Sequence, residues 1–210
     1  MLDPRALLPL THHRWAIPLL AACHRAPLGG QKHAGLMHAL GISRDSLGRT
    51  LAAVIAQGWL SRHGGVQHAL RPEYVLTESG RRVAPACVRV LRALDAADVR
   101  DVGLNKWSLP VLLAARGVGG RRFTEIRGRL PGVTPRSLAL TLVDLERGGL
   151  ILRLSRGAQH VYAPAPRAAR VLAGARRLAV LIGPRLAPDG TDPAGEEAAP
   201  GMIRARRAAG

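Results

Sequence analysis

Apolar positions between Phe123 and Arg153 fall into a helical rhythm twice over. Leu138, Leu142 and Leu145 recur at helical spacing, while Arg136, Leu140 and Asp144 lie on other faces, which predicts an amphipathic helix from Pro135 to Arg147. A shorter set, Phe123, Ile126 and Leu130, predicts a helix just before it. Between the two stands Leu130-Pro131-Gly132-Val133, where proline cannot continue a helix and glycine permits a sharp change of direction. Thr134 is suited to cap the second helix, Pro135 to its first position, and Gly148-Gly149 to end it. Beyond it, Ile151 to Leu154 and His160 to Ala163 predict two strands around the polar loop Ser155-Arg156-Gly157-Ala158-Gln159. Two helices, a tight turn and a hairpin make the layout of a helix-turn-helix with a wing.

The same layout occurs earlier in the chain. His13-Arg14-Trp15-Ala16-Ile17-Pro18-Leu19-Leu20 returns 92 positions later as Asn105-Lys106-Trp107-Ser108-Leu109-Pro110-Val111-Leu112. Leu40-Gly41-Ile42-Ser43-Arg44-Asp45-Ser46-Leu47 answers Leu130 to Leu138 without the turn proline, Thr50-Leu51 answers Thr141-Leu142, and Gly58 answers Gly149. Each copy opens with a short apolar helix, Trp15 to Cys23 and Trp107 to Ala115, followed by a glycine turn. In the first copy His33, Leu36 and Leu40 are the expected buried positions of the first helix, and the second helix runs from about Arg44 to Gln57. Trp59 to His63 and Tyr74 to Leu76 are its expected wing strands. Val83, Cys87, Val90, Leu91 and Leu94 then form one face of a long helix from Arg81 to about Val102, and a matching helix spans Ala168 to Ile182.

The expected fold is therefore mainly α with small β-hairpin wings: two tandem winged helix-turn-helix domains joined by a long helix. Residues 1–100 hold copy one with the linking helix and residues 101–183 hold copy two. Residues 184–210, rich in Pro, Gly, Ala and acids, read as a disordered tail.

Charge gives this layout a partner. The chain carries 31 Lys and Arg against 14 Asp and Glu, a net charge of +17, which suits a polyanion and above all nucleic acid. Nine arginines lie between Arg116 and Arg156 against Glu125, Asp144 and Glu146, and six basic residues lie between Arg25 and Arg71 against Asp45 alone. Aromatic residues make up 3% of the chain, so the core must come from Leu, Val, Ile and Ala. No apolar run is long enough to span a bilayer, and the expected location is cytoplasmic and nucleoid-associated. Cys23 and Cys87 form no metal knuckle or disulfide framework and read as core residues. The eight histidines lack zinc-ligand spacing, and the chain has no nucleophile elbow, phosphate loop or carboxylate pair. No cofactor, metal or catalytic activity is expected.

Trp107, Arg121-Arg122-Phe123-x-Glu125-Ile126, Leu130-Pro131-Gly132-Val133-Thr134-Pro135-Arg136-Ser137-Leu138 and the following hairpin resemble the HxlR-type branch of winged helix-turn-helix transcriptional regulators, close to the MarR superfamily. The likeness is strongest over Lys106 to Tyr162 and fainter over Arg14 to Gly80. It implies a bacterial DNA-binding regulator that works as a two-fold pair of winged domains, with pairing contacts from the flanking helices. Such regulators usually carry one domain and many place a sensing cysteine shortly before the tryptophan; neither Thr11 to Arg14 nor Val102 to Lys106 contains one.

Base reading falls to the first turns of the second helix of each pair, whose N-terminal end enters the major groove. The candidates are Arg136, Ser137, Leu140 and Thr141 in copy two and Arg44, Asp45 and Arg49 in copy one. Arg121, Arg122 and the wing residues Arg71 and Arg156 are candidates for backbone or minor-groove contact. Asp45 stands where copy two has Arg136, so the two copies are expected to prefer different half-sites. The expected partner is double-stranded DNA, bound by a monomer acting as an internal pseudo-dimer or by a homodimer; nothing in the sequence indicates a small-molecule effector. The competing reading is a tandem winged-helix protein-interaction or chromosome-organising module without sequence-specific DNA binding.

Overall fold

The computed structural model describes residues 2–26, 30–64, 72–157 and 159–183. Arg71 and the tail from 184 onward, expected to be disordered, lie outside the described residues.

The chain begins with a 3-10 turn, Pro4–Leu7, that runs into α1 (Leu8–Thr11). Pro9 interrupts the apolar run from Ala6 to Leu10 without ending it. Both prolines sit in the first turn of their elements, where no intrahelical N–H is lost, and the Asp3 carboxylate caps the start by accepting from the Arg5 N–H at 2.9 Å. Leu7 and Leu10 are fully buried, and the 3-10 turn packs on two helices far along the sequence, α7 (Ser108–Ala114) and α10 (Ala169–Ile182).

After α2 (Ala16–Arg25) come two consecutive helices, α3 (His33–Leu40) and α4 (Arg44–Ala56). The strands β1 (Gly30–Lys32), β2 (Leu60–His63) and β3 (Glu73–Leu76) form an antiparallel sheet in the order β1-β3-β2. The second half repeats the order: α7, β4 (Arg121–Arg122), α8 (Phe123–Gly128), α9 (Pro135–Arg147), β5 (Ile151–Arg156) and β6 (Gln159–Pro164), with a sheet ordered β4-β6-β5. The third strand of each sheet was not foreseen. β1 and β4 are two or three residues long, too short to show a period, and exist only because β3 and β6 offer an edge.

Sequence chemistry accounts for α4 and α9. The Ser43 hydroxyl accepts from the Ser46 N–H at 3.3 Å and the Thr134 hydroxyl from the Ser137 N–H at 3.1 Å, satisfying one orphan donor at each helix start. Leu47, Thr50, Leu51 and Val54 face the core from α4, as Leu138, Leu142 and Leu145 do from α9. The chain leaves both helices through a left-handed glycine, Gly58 at φ 69° and Gly149 at φ 66°, a conformation that a side chain would resist. Before them, Leu36 on α3, Ile126 on α8 and Leu130 in the turn after α8 are buried as expected, whereas His33, Leu40 and Phe123 are only half-buried.

The expected unbroken linking helix is corrected. α5 spans Glu78–Ala96, starting earlier than Arg81 because the Thr77 hydroxyl caps it through the Gly80 N–H at 3.0 Å. It ends well before Val102: Asp98 adopts φ 49°, a left-handed turn that aspartate tolerates better than most residues, and a one-turn helix α6 (Arg100–Gly103) follows. The halves are thus linked by a helix, a turn and a second short helix. They share one buried core, in which α5 lies against both α2 and α10. Gly174 lets α10 approach closely, since a Cβ there would lie 2.7 Å from Val90 Cγ2. Arg14, beside Trp15, bonds to Asn105 at 3.2 Å and to Asp101, tying the stretch around Trp15 to the one before Trp107. Cys23 and Cys87 are core residues, and burial pushes the Cys23 thiol up to about 12 and Cys87 higher still.

Candidate nucleic-acid interface

α9 turns its leucine stripe inward, so Arg136, Leu140 and Val143 share the opposite, exposed face. Leu140 is 57% exposed, a large apolar side chain held in solvent beside a free-standing guanidinium. Ser137 and Thr141 are half-buried and their hydroxyls are engaged locally. The Thr134 hydroxyl donates to Ser137 Oγ at 2.9 Å, and Thr141 Oγ1 donates to the Ser137 carbonyl at 2.8 Å. The face therefore offers one cation and an apolar strip more readily than the two hydroxyls.

The sequence grouped Arg121 with Arg122, but strand alternation separates them. Arg122 opens α8, with its N–H donating to the Glu125 carboxylate at 2.6 Å and its side chain exposed. Arg121 lines a cavity on the other side, where its Nε donates to the Arg116 carbonyl at 2.7 Å. Arg156, at the end of β5, is exposed but leans back on the turn before β4: a Cβ on Gly119 would lie 2.0 Å from its Nη2. On the same strand Arg153 is exposed and opposite Tyr162 in the β5–β6 register.

In the first half, Arg44, Asp45 and Arg49 are all exposed on α4. Arg44 joins Lys32, His33, Arg62 and Tyr74 around a cavity of about 790 Å3 between the start of α4 and the wing. Arg62 pairs with Tyr74 in the β2–β3 register just as Arg153 pairs with Tyr162, so each wing presents an arginine opposite a tyrosine. Arg62, Arg153 and Lys32 were not singled out from the sequence. Arg62 and Arg153 are found by their place opposite the wing tyrosines, and Lys32 by its place opposite Glu73 and on the cavity wall, signals that become visible only once the strand register is known. Arg71, named for the same role, is outside the described residues.

Electrostatically the face is uncompensated. Among the described residues no ion pair engages Arg44, Arg49, Arg122, Arg136 or Arg153; the four pairs formed are Arg5–Asp3, Arg14–Asp101, Arg82–Glu78 and Arg100–Asp95. Unpaired exposed guanidinium groups around an exposed helix start suit phosphate oxygens, and each contact releases counterions from DNA. The field of Arg49 reaches His13, whose pKa falls below 6.5 through burial first and then the charges of His12 and Arg49. Among the described residues no three His, Cys, Asp or Glu gather where they could hold a metal, and no helix is long and apolar enough to cross a membrane.

No curated protein and no solved structure matches the chain. One family model does, over the stretch from the end of α6 through β6 that contains α9 and its wing. Residues 102–164 match the HxlR-like helix-turn-helix model, a family of DNA-binding transcriptional regulators.

Proposed function

We propose that the protein regulates transcription by binding duplex DNA with two recognition helices, α4 and α9, carried on one chain as an internal pseudo-dimer at the nucleoid. The observation that carries this reading is the repetition of a capped helix, glycine exit and three-stranded wing in both halves, with α5 and α10 packed together as two subunits' flanking helices would be. The exposed cations around both helices favour DNA over a protein partner. Arg136 reads bases in one half-site, Arg44 and Arg49 serve the other, and Asp45 makes the two preferences differ. Lys32, Arg62, Arg122 and Arg153 hold backbone.

Selection of bound duplexes from a random pool tests the reading. The expected product is an asymmetric site of about two helical turns, bound by a particle with the mass of one chain. Replacing Arg136 by alanine should cost about 1–3 kcal/mol and relax preference in one half-site only, whereas replacing Arg153 should weaken all sequences alike. No enrichment of any sequence at any salt concentration would overturn sequence-specific regulation; a stable particle of two chains would overturn the internal pseudo-dimer.

A further inference from the structure

A groove of about 360 Å3 runs between α5 and α10, the helices on which the two halves of the chain meet. Its lining follows from helical spacing. Arg89, Arg92, Ala93 and Ala96 on α5, and Arg170, Ala173, Gly174 and Arg177 on α10, each recur at i, i+3, i+4 and i+7, so each set forms one face of its helix. Alanine and glycine keep the middle of the groove open, and two arginines come to it from each helix. Gly174 sets how close the two helices stand, because a Cβ there would meet Val90. Along the packing order, α4 rests on α2 and α2 on α5, while α9 rests on α7 and α7 on α10. The groove therefore lies at the centre of that series, a layer removed from both α4 and α9.

No negative charge answers these four cations. The acids of α5, Glu78 and Asp95, are each bonded at 2.6 Å to Arg82 and Arg100 respectively, and α10 contains no acid. Among the described residues no ion pair engages Arg89, Arg92, Arg170 or Arg177, and all four are exposed. The arginines of α10 stand on the order of 10 Å apart along the helix axis and those of α5 about 4.5 Å. A single carboxylate could meet only part of such a row. A chain of linked phosphates carries several charges along the same line, with oxygens that accept paired N–H bonds from each guanidinium fork. The middle of the groove adds nothing for a base or sugar: Ala93, Ala96, Ala173 and Gly174 offer neither a ring to stack on nor a side-chain donor. A duplex is far wider than the gap between two closely packed helices and would rest across its rims.

We infer that this groove binds a linear oligophosphate through its phosphate chain alone, held between Arg89 and Arg92 of α5 and Arg170 and Arg177 of α10. Titration calorimetry on the full chain tests it with inorganic tripolyphosphate, orthophosphate and ATP, at about 0.15 M salt to screen diffuse attraction. Tripolyphosphate is expected to saturate one site at least about tenfold more tightly than orthophosphate, with ATP no tighter than tripolyphosphate. Arg92→Gln with Arg177→Gln should weaken it about tenfold or more, and so should Arg89→Gln with Arg170→Gln, so the outcome does not hang on one pair. Arg147→Gln with Arg176→Gln removes the same charge from exposed positions outside the groove and should change the affinity by less than about twofold. No saturation by about 10 mM, equal losses in the groove and control variants, or ATP about tenfold tighter would overturn the inference. A groove variant that weakens binding of a random duplex as much as that of tripolyphosphate would assign these arginines to DNA backbone and overturn it too. The oligophosphate titrations contain no DNA, so their failure leaves the DNA-binding reading untouched.

Discussion

Cys23 and Cys87 lie within the core, and burial raises both thiols far above neutrality. Since the thiolate is the reactive form, iodoacetamide should leave both untouched in the folded protein and modify both once denaturant is added, with mass spectrometry as the readout. His13 behaves oppositely with respect to charge. Its depressed pKa means that the fold favours neutral imidazole, while the unfolded chain takes up a proton near 6.5. Stability should therefore be lost as pH falls below that value and level off beneath the folded pKa. Urea midpoints between about pH 7.5 and about pH 5.5 should drop less in His13→Gln than in the parent. At this scale the sequence revealed which face of α9 each candidate occupies but not how each side chain is engaged. Spacing places Ser137 and Thr141 near Arg136; only geometry shows their hydroxyls bound to Thr134 and to the α9 backbone. The same holds for Arg121, whose direction depends on a strand too short to announce itself.

Among the elements, those with both a stripe and a cap were legible. α4 and α9 each combine core-facing leucines with a hydroxyl cap and a glycine exit, so several local signals agree. α5 had its stripe but not its end, because the left-handed turn at Asp98 is allowed by aspartate without being required by it. β1 and β4 had no local signal at all. Packing at element junctions gives a direct prediction. A Cβ added at Gly80 would lie 1.9 Å from the Trp59 carbonyl oxygen, a backbone atom that cannot swing aside. Gly80→Ala should destabilise by about 3 kcal/mol through forced separation of β2 from α5, visible as a lower urea midpoint.

For the whole molecule, a net charge of +17 with exposed cations around both α4 and α9 predicts steep salt dependence if the chain binds DNA. If both halves touch backbone, log affinity should fall against log salt with a slope of about −0.9 per phosphate contact, and alanine at Lys32 and Arg153 together should flatten it by about two contacts. The close approach of α10 to α5 is a second global feature. Gly174→Ala should strain the contact at Val90 by about 1–3 kcal/mol and lower the melting temperature.

The seating of Pro4–Leu7 on α7 and α10 bears on how the chain reaches its fold during synthesis. Leu7 is made long before α10, which forms part of its burial site. Contacts so distant in sequence close late, after the local helices and hairpins have formed. The local helices and hairpins can assemble as they emerge, but the shared core is completed only when α10 packs against Pro4–Leu7. Leu7 and Leu10 must wait exposed until then, and this interval is when a nascent chain most needs protection from its neighbours.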